Sequence, residues 1–216
     1  MKKKKPDIKA IAGQHLAAID GDWAALIAAV GDCTHQPKPE REPYEALVRT
    51  VAYQQIHARA AEAILGRLLA LHPQGLWLTP ETLLAMDDTI LRTCGFSTRK
   101  TATLKAIAAG AVSGLIPNRT LAEQMPEEEL ITRLTQLPGI GRWTVEMLLI
   151  YTLERIDIFP IDDFGVREGY RLLKKLEQQP NRKAMQEVGL LCSPYRTIAA
   201  WYLWRASELL NTKKKK

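Results

Sequence analysis

Leu137-Pro-Gly-Ile-Gly-Arg-Trp-Thr-Val-Glu-Met147, followed after one helical segment by Phe159-Pro-Ile-Asp-Asp163, is the stretch whose interpretation decides the fold. Helical spacing flanks it on both sides: Pro126 to Gln136, with apolar Leu130, Ile131 and Leu134, and then Arg142 to Glu154. Between them, apolar-Pro-Gly-apolar-Gly permits a tight turn, and the helix that follows leaves its first amides without intrahelical partners. Such amides form an anion site, with phosphate the obvious anion. Pro and Gly also punctuate many ordinary helix corners. The two aspartates at the start of a new helix downstream are what set this stretch apart.

Outward from this centre, no period-2 strand pattern of any length occurs and helical spacing recurs almost throughout, so the chain is expected to be all-α. Asp7 to Ile19 and Asp20 to Val30 form an amphipathic pair, and the polar, proline-containing segment Cys33 to Arg41 reads as a linker. Pro43 suits a first helical turn, with Tyr44 to His57 running on it, and His57 to Leu71 follows. Thr79, one of Asp87 and Asp88, and then Ser97 stand as helix caps, the last opening a long helix to Val112. Thr120 starts a short helix. After the aspartates come Phe164 to Leu176, Arg182 to Leu191 and a final helix opened by Ser193-Pro194, whose Trp201 and Trp204 at i, i+3 spacing are expected in the core.

The chain has 216 residues, of which 46% are hydrophobic, enough for a packed core in one large or two small domains. No apolar run is long enough to span a bilayer and no signal-peptide pattern opens the chain, so no membrane partner is expected. The formal charge is +6, but Lys2 to Lys5 and Lys213 to Lys216 supply +8, leaving the body near 6 − 8 = −2. The basicity lies in tails expected to be disordered, and it argues little for nucleic-acid binding. Cys33, Cys94 and Cys192 stand apart, as do the four histidines, which points to reduced thiols and away from zinc.

Leu137-Pro-Gly-Ile-Gly-Arg-Trp-Thr with Asp162-Asp163 resembles the helix-hairpin-helix (HhH-GPD) DNA glycosylases, and among them the 3-methyladenine DNA glycosylase II family in its compact yeast-like branch. Tyr53-Gln-Gln-Ile-His-Ala-Arg-Ala-Ala61 and Gly95-Phe-Ser-Thr-Arg-Lys100 are similar to motifs of the same family, so the resemblance runs from about Tyr44 to Leu210. It implies a two-domain helical fold with the active site in the interdomain cleft. The discontinuous domain would comprise residues 6–38 and 165–212 and the central domain 39–164, with the hairpin at about 126–154 and lysine tails at 1–5 and 213–216. The stretch before Tyr44 is too short for the extra β domain of larger bacterial members.

Excision of a damaged base breaks an N-glycosidic bond, and the sugar develops oxocarbenium character that a fixed carboxylate stabilises. The spacing alone does not choose between Asp162 and Asp163; the resemblance assigns catalysis to Asp163 and leaves Asp162 as cap or support. Lyase-type relatives carry a nucleophilic lysine where this chain has Trp143, so the resemblance implies a monofunctional enzyme that uses water. Trp143, Tyr195 and Met147 map to the base pocket, where an electron-rich indole would stack on an electron-poor alkylated purine; Met147 replaces an aromatic of the larger members.

Gln54, Gln55 and His57 map to DNA contacts, Gln55 filling the space of a flipped nucleotide and His57 reaching the minor groove. Gly139, Gly141 and Thr144 would hold a phosphate. The carbonyls of Thr135, Leu137 and Ile140 would bind Na+ or K+, no other cofactor is expected, and the clustered cysteines of an iron-sulfur cluster are missing. The implied function is excision of 3-methyladenine, and with it 7-methylguanine and 1,N6-ethenoadenine, from duplex DNA in base excision repair. A monomer in the bacterial cytoplasm, at the nucleoid, or in a eukaryotic nucleus is expected. The competing possibility is a catalytically silent hairpin protein that senses lesions or abasic sites.

Overall fold

The computed structural model describes residues 7–213, with side chains through Leu209. Thirteen helices occur among them: α1 (Ile8–Ala17), α2 (Gly21–Val30), α3 (Pro43–Tyr53), α4 (Ala58–Leu69), α5 (Pro80–Ala85), α6 (Asp88–Thr93), α7 (Thr98–Val112), α8 (Arg119–Gln124), α9 (Glu127–Leu134), α10 (Arg142–Tyr151), α11 (Phe164–Leu173), α12 (Arg182–Cys192) and α13 (Arg196–Lys213). No strand is present among the described residues, and none of their helices is long and apolar enough to cross a membrane. The expected lysine tails fall outside the described residues, apart from Lys213, where α13 ends.

Side-chain oxygens placed at helix starts explain where most of these helices begin. Asp7, Asp20, Thr79, Asp87 and Ser97 each accept a hydrogen bond from a first-turn amide, which satisfies a donor that the helix itself cannot. Two boundaries depart from the sequence expectation. Asn118, not Thr120, starts α8, because its Oδ1 accepts from the Leu121 amide. Helix α3 stops at Tyr53 rather than His57, since Gln55 adopts φ +57 and a left-handed residue cannot continue a right-handed helix.

The chain divides into two compact units, one formed by Met1–Gln36 with Arg155–Lys216, the other by Pro37–Glu154. The second boundary thus falls at Glu154/Arg155 instead of 164/165. Phe159 explains the shift: it packs into the core of the discontinuous unit with Leu16, Trp23, Val166, Met185 and Leu203, bringing the aspartate pair into that unit. There α11 lies against α13 so closely that a Cβ on Gly169 would stand 1.9 Å from the Leu203 carbonyl oxygen. Tyr202 anchors the N-terminal pair by donating its hydroxyl to the Gly31 carbonyl at 3.0 Å.

In the continuous unit, α3 packs on α7 and α10, α9 on α10, and α5 and α6 on α7. Leu47, Leu68, Leu104, Ile107, Leu130, Leu134 and Leu148 are fully buried there. Each such aliphatic side chain contributes about 1.5–3 kcal/mol by leaving water. This core carries the α9–α10 hairpin and the α3–α4 turn.

Candidate functional site

Asp163 is the N-cap of α11, its Oδ1 accepting the Val166 amide at 2.8 Å and the Trp204 indole N–H at 2.9 Å. Two donors on one oxygen fix the plane of the carboxylate. Gly165 makes room for this arrangement, since a Cβ there would lie 2.8 Å from Trp204 Cδ1 and 3.2 Å from Asp163 Oδ1. Asp162 points elsewhere: it is exposed and pairs with Arg182, an exposed contact that contributes about 0–1 kcal/mol. Of the two aspartates, only Asp163 is held by the interior of its unit. Phe164, the first residue of α11, leaves its ring 72% exposed beside it.

Nothing in the sequence pattern marks Trp204 or Gly165 as a site residue. Trp204 was expected in the core, and it does pack against the core cluster, yet its polar edge serves Asp163. The available signal was the chemistry of indole: a half-buried tryptophan seeks an acceptor.

The hairpin turn has the expected form with one change. Gly139 sits at φ +81, and a Cβ there would lie 2.1 Å from Thr103 Oγ1, so glycine is required twice over. Gly141 has ordinary extended backbone and open space where a Cβ would be, so its role is not conformational. It is the N-cap of α10 and supplies no capping side chain, which leaves the start of the helix dipole available to an anion. Buried Leu137 and Ile140 anchor the turn while Gly139 and Gly141 remain exposed.

Thr144 corrects an expectation. It is 2% exposed, and its Oγ1 accepts from Gln54 Nε2 at 3.2 Å, so its hydroxyl is withdrawn from a phosphate at the surface. Gln54 is a brace in consequence, also reaching the Gly139 carbonyl at 3.4 Å. Gln55 is exposed in its left-handed conformation, which costs a non-glycine residue about 1–2 kcal/mol. His57 caps α4, its Nδ1 accepting from the Arg59 amide at 3.2 Å, which places the proton of the neutral ring on outward-available Nε2.

Positive charge at the hairpin is offset within the protein. Arg142 donates to Glu128 and, at 3.1 Å, to Glu146, which is 4% exposed. The Arg142 bond holds the Glu128 carboxyl below its usual range. Anion attraction at this turn therefore rests on backbone amides. The carbonyls of Thr135 and Ile140 accept no hydrogen bond among the described residues and that of Leu137 accepts the Ile140 amide, so all three retain lone pairs suited to a hard cation.

Trp143 and Met147 share a cavity of about 380 Å³ with Tyr53, Tyr151, Thr50 and Thr152, a size within the usual range for ligand sites. Arg41 and Arg49 also line it, and Glu45 pairs with both, at 3.9 and 2.7 Å. Burial, together with its 2.6 Å bond to Glu62, pushes the Tyr53 phenol up to about 12, so it stays protonated at neutral pH. Tyr195 belongs to the discontinuous unit, where its ring meets His15 edge-on at 5.3 Å. The structure thus brings Trp143 and Met147 together, and separately Asp163 and Trp204.

Comparison with known proteins identifies the family and the fold. DNA-3-methyladenine glycosylase 1 of Schizosaccharomyces pombe is 47% identical over 198 residues, covering 91% of this chain and 87% of that protein. An alkylbase DNA glycosidase-like protein of the same organism is 36% identical over 92% of this chain and 93% of its own length. The solved structure of the Schizosaccharomyces pombe 3-methyladenine DNA glycosylase in complex with abasic DNA superposes with a TM-score of 0.88, covering 92% of this chain and 97% of that one. Residues 48–194 match the model of one family over most of the chain, and the chain belongs to the HhH-GPD superfamily of base excision DNA repair proteins.

Proposed function

We propose that this protein is a monofunctional DNA glycosylase that hydrolyses the N-glycosidic bond of alkylated purines in duplex DNA, with Asp163 as its catalytic carboxylate. The observation that carries the assignment is the double clamp on Asp163 Oδ1 by the Val166 amide and the Trp204 indole. A carboxylate fixed before the reaction stabilises the developing oxocarbenium ion without reorganising at the moment of bond cleavage. The bond between C1′ and the purine nitrogen breaks with its electrons passing to the base; a purine alkylated at N3 or N7 is cationic and is neutralised by that pair, whereas neutral 1,N6-ethenoadenine takes up a proton as it leaves. Water then adds to C1′ and loses a proton, leaving an abasic site. Trp143 cannot form a Schiff base, so no strand-cleaving covalent intermediate follows.

The other groups serve binding. The α10 amides and Gly139 hold a phosphate, Na+ or K+ on the carbonyls of Thr135, Leu137 and Ile140 would add positive charge beside it, Gln55 fills the flipped nucleotide's place, and His57 Nε2 reaches the minor groove. The purine, 3-methyladenine first and 7-methylguanine or 1,N6-ethenoadenine after it, stacks on Trp143 beside Met147, which line one cavity. The protein acts as a monomer wherever the genome lies, at the nucleoid or in the nucleus.

Base release from an alkylated duplex tests the proposal. Wild type releases base, Asp163→Asn loses about 10²–10³-fold, and Asp162→Asn stays near wild type because its partner is an exposed arginine. Borohydride yields no protein–DNA adduct. Absence of release from every alkylated substrate, with tight binding to abasic duplex retained, would replace the enzyme with a lesion-sensing binder.

A further inference from the structure

The α3–α4 turn presents Gln55 on a backbone that an L-residue adopts only under constraint, so something must hold it there. The carbonyls at the end of α3 point to the answer. Lys100, on the first turn of α7, donates from Nζ to the Ala52 carbonyl at 2.9 Å and to the Gln54 carbonyl at 2.8 Å. Its ammonium meets the negative end of the α3 dipole, where a cation is favoured. Among the described residues no carboxylate pairs with it. A half-buried lysine without a counter-ion is costly unless backbone oxygens take its charge, and burial lowers its pKa accordingly.

The same helix also touches the hairpin. Thr103, one turn after Lys100, fills the space that a side chain at Gly139 would occupy, and Gln54 closes the triangle by reaching Gly139 O and Thr144 Oγ1. Helix α7 is therefore a strut that sets the Gln55 turn and the hairpin turn in one register, with Lys100 and Thr103 as its two contact points.

We infer that Lys100 is a positioning residue for DNA: its ammonium holds Gln55 in the conformation that enters the duplex, at a fixed offset from the phosphate-binding hairpin. The inference rests on the proposed binding mode, not on the chemistry at Asp163. Lys100 itself touches no base and no reacting atom in this scheme.

The test uses full-length protein and a duplex carrying a tetrahydrofuran abasic analogue opposite 2-aminopurine, whose fluorescence reports intrusion into the stack. Wild type, Lys100→Met, Gln55→Ala and the double variant are compared at saturating protein, with anisotropy measuring affinity. Lys100→Met should lower the fluorescence change to about a third or less of wild type, as the ordered turn becomes a minor conformer. The double variant should match Gln55→Ala, because the two act through one element. Alkylating Lys100→Cys with bromoethylamine restores an ammonium at nearly the same reach and should restore the signal; the native cysteines are buried. This arm also decides the matter if Lys100→Met fails to fold.

A wild-type signal in Lys100→Met, additive losses in the double variant, no rescue by the ammonium, or no response from wild type would each overturn the inference. Base release measured in parallel separates the two claims. Loss of release with the fluorescence pattern intact would sink the enzymatic proposal and leave Lys100 in its role.

Discussion

Gly139→Ala is the sharpest probe of the hairpin, because the structure supplies two independent reasons for it to fail. The backbone at φ +81 costs an alanine about 1–2 kcal/mol. The new methyl would also stand 2.1 Å from Thr103 Oγ1, 3.0 Å from its Cγ2 and 3.1 Å from its Cβ, and overpacking of this kind costs about 1–3 kcal/mol. The sum is about 2–5 kcal/mol, a large part of the margin of an ordinary domain. Thr103→Ala removes the two nearest atoms and leaves only the 3.1 Å contact, at the loss of the Thr103 hydroxyl bond to the Arg99 carbonyl, about 1 kcal/mol.

In a double-mutant cycle the pair should therefore couple favourably by about 1–3 kcal/mol, with the backbone term surviving in the double variant. Urea unfolding followed by circular dichroism gives the four stabilities, and anisotropy with abasic duplex gives the four affinities. Gly139→Ala within about 0.5 kcal/mol of wild type, or strictly additive substitutions, would refute the geometry from which the cost was worked out.

Two further outcomes concern the discontinuous unit. Burial raises the Asp157 pKa, but the bonds from Arg196 and Ser193 outweigh it and bring the carboxyl below its ordinary value. A depressed folded pKa contributes stability that is present above the unfolded value, about 3.9, and lost as pH falls through the folded one; Asp157→Asn should remove the part of the acid transition below about pH 4, as pH-dependent thermal unfolding will record. Gly169→Ala places a methyl against the Leu203 backbone, where nothing flexible can yield. It should separate α11 from α13, lower the unfolding midpoint, and reduce base release by more than its effect on abasic-DNA affinity, because the Trp204 bond to Asp163 spans those helices.

What the sequence made legible was mostly local. A cap and its amide lie two or three residues apart, so Thr79, the Asp87–Asp88 pair and Ser97 could be placed by inspection. The end of α3 could not, because the left-handed Gln55 is supported by a lysine 46 positions from the carbonyl it holds at Gln54. Trp204 was hidden from the aspartate pair in the same way, by 41 positions. Thr144 had the right residue type at the right spacing, and only packing showed that its hydroxyl faces inward. The two hairpin glycines looked alike in sequence; their torsions differ, and so do their reasons for being glycine.

The division of the chain has a consequence for the order in which the protein matures. The continuous unit, hairpin included, has been synthesised by Glu154, while Trp204 comes only fifty positions later (204 − 154 = 50). Domains fold as units while the ribosome is still adding residues. On the proposed binding mode the hairpin that would hold the DNA backbone is therefore complete in the nascent chain before Asp163 has acquired its indole clamp, and the first segment of the other unit must wait for the last helix to arrive. Under the proposed function a chain released early would hold DNA with an incompletely clamped carboxylate, and translation has to reach α13 before affinity and chemistry reside in the same molecule.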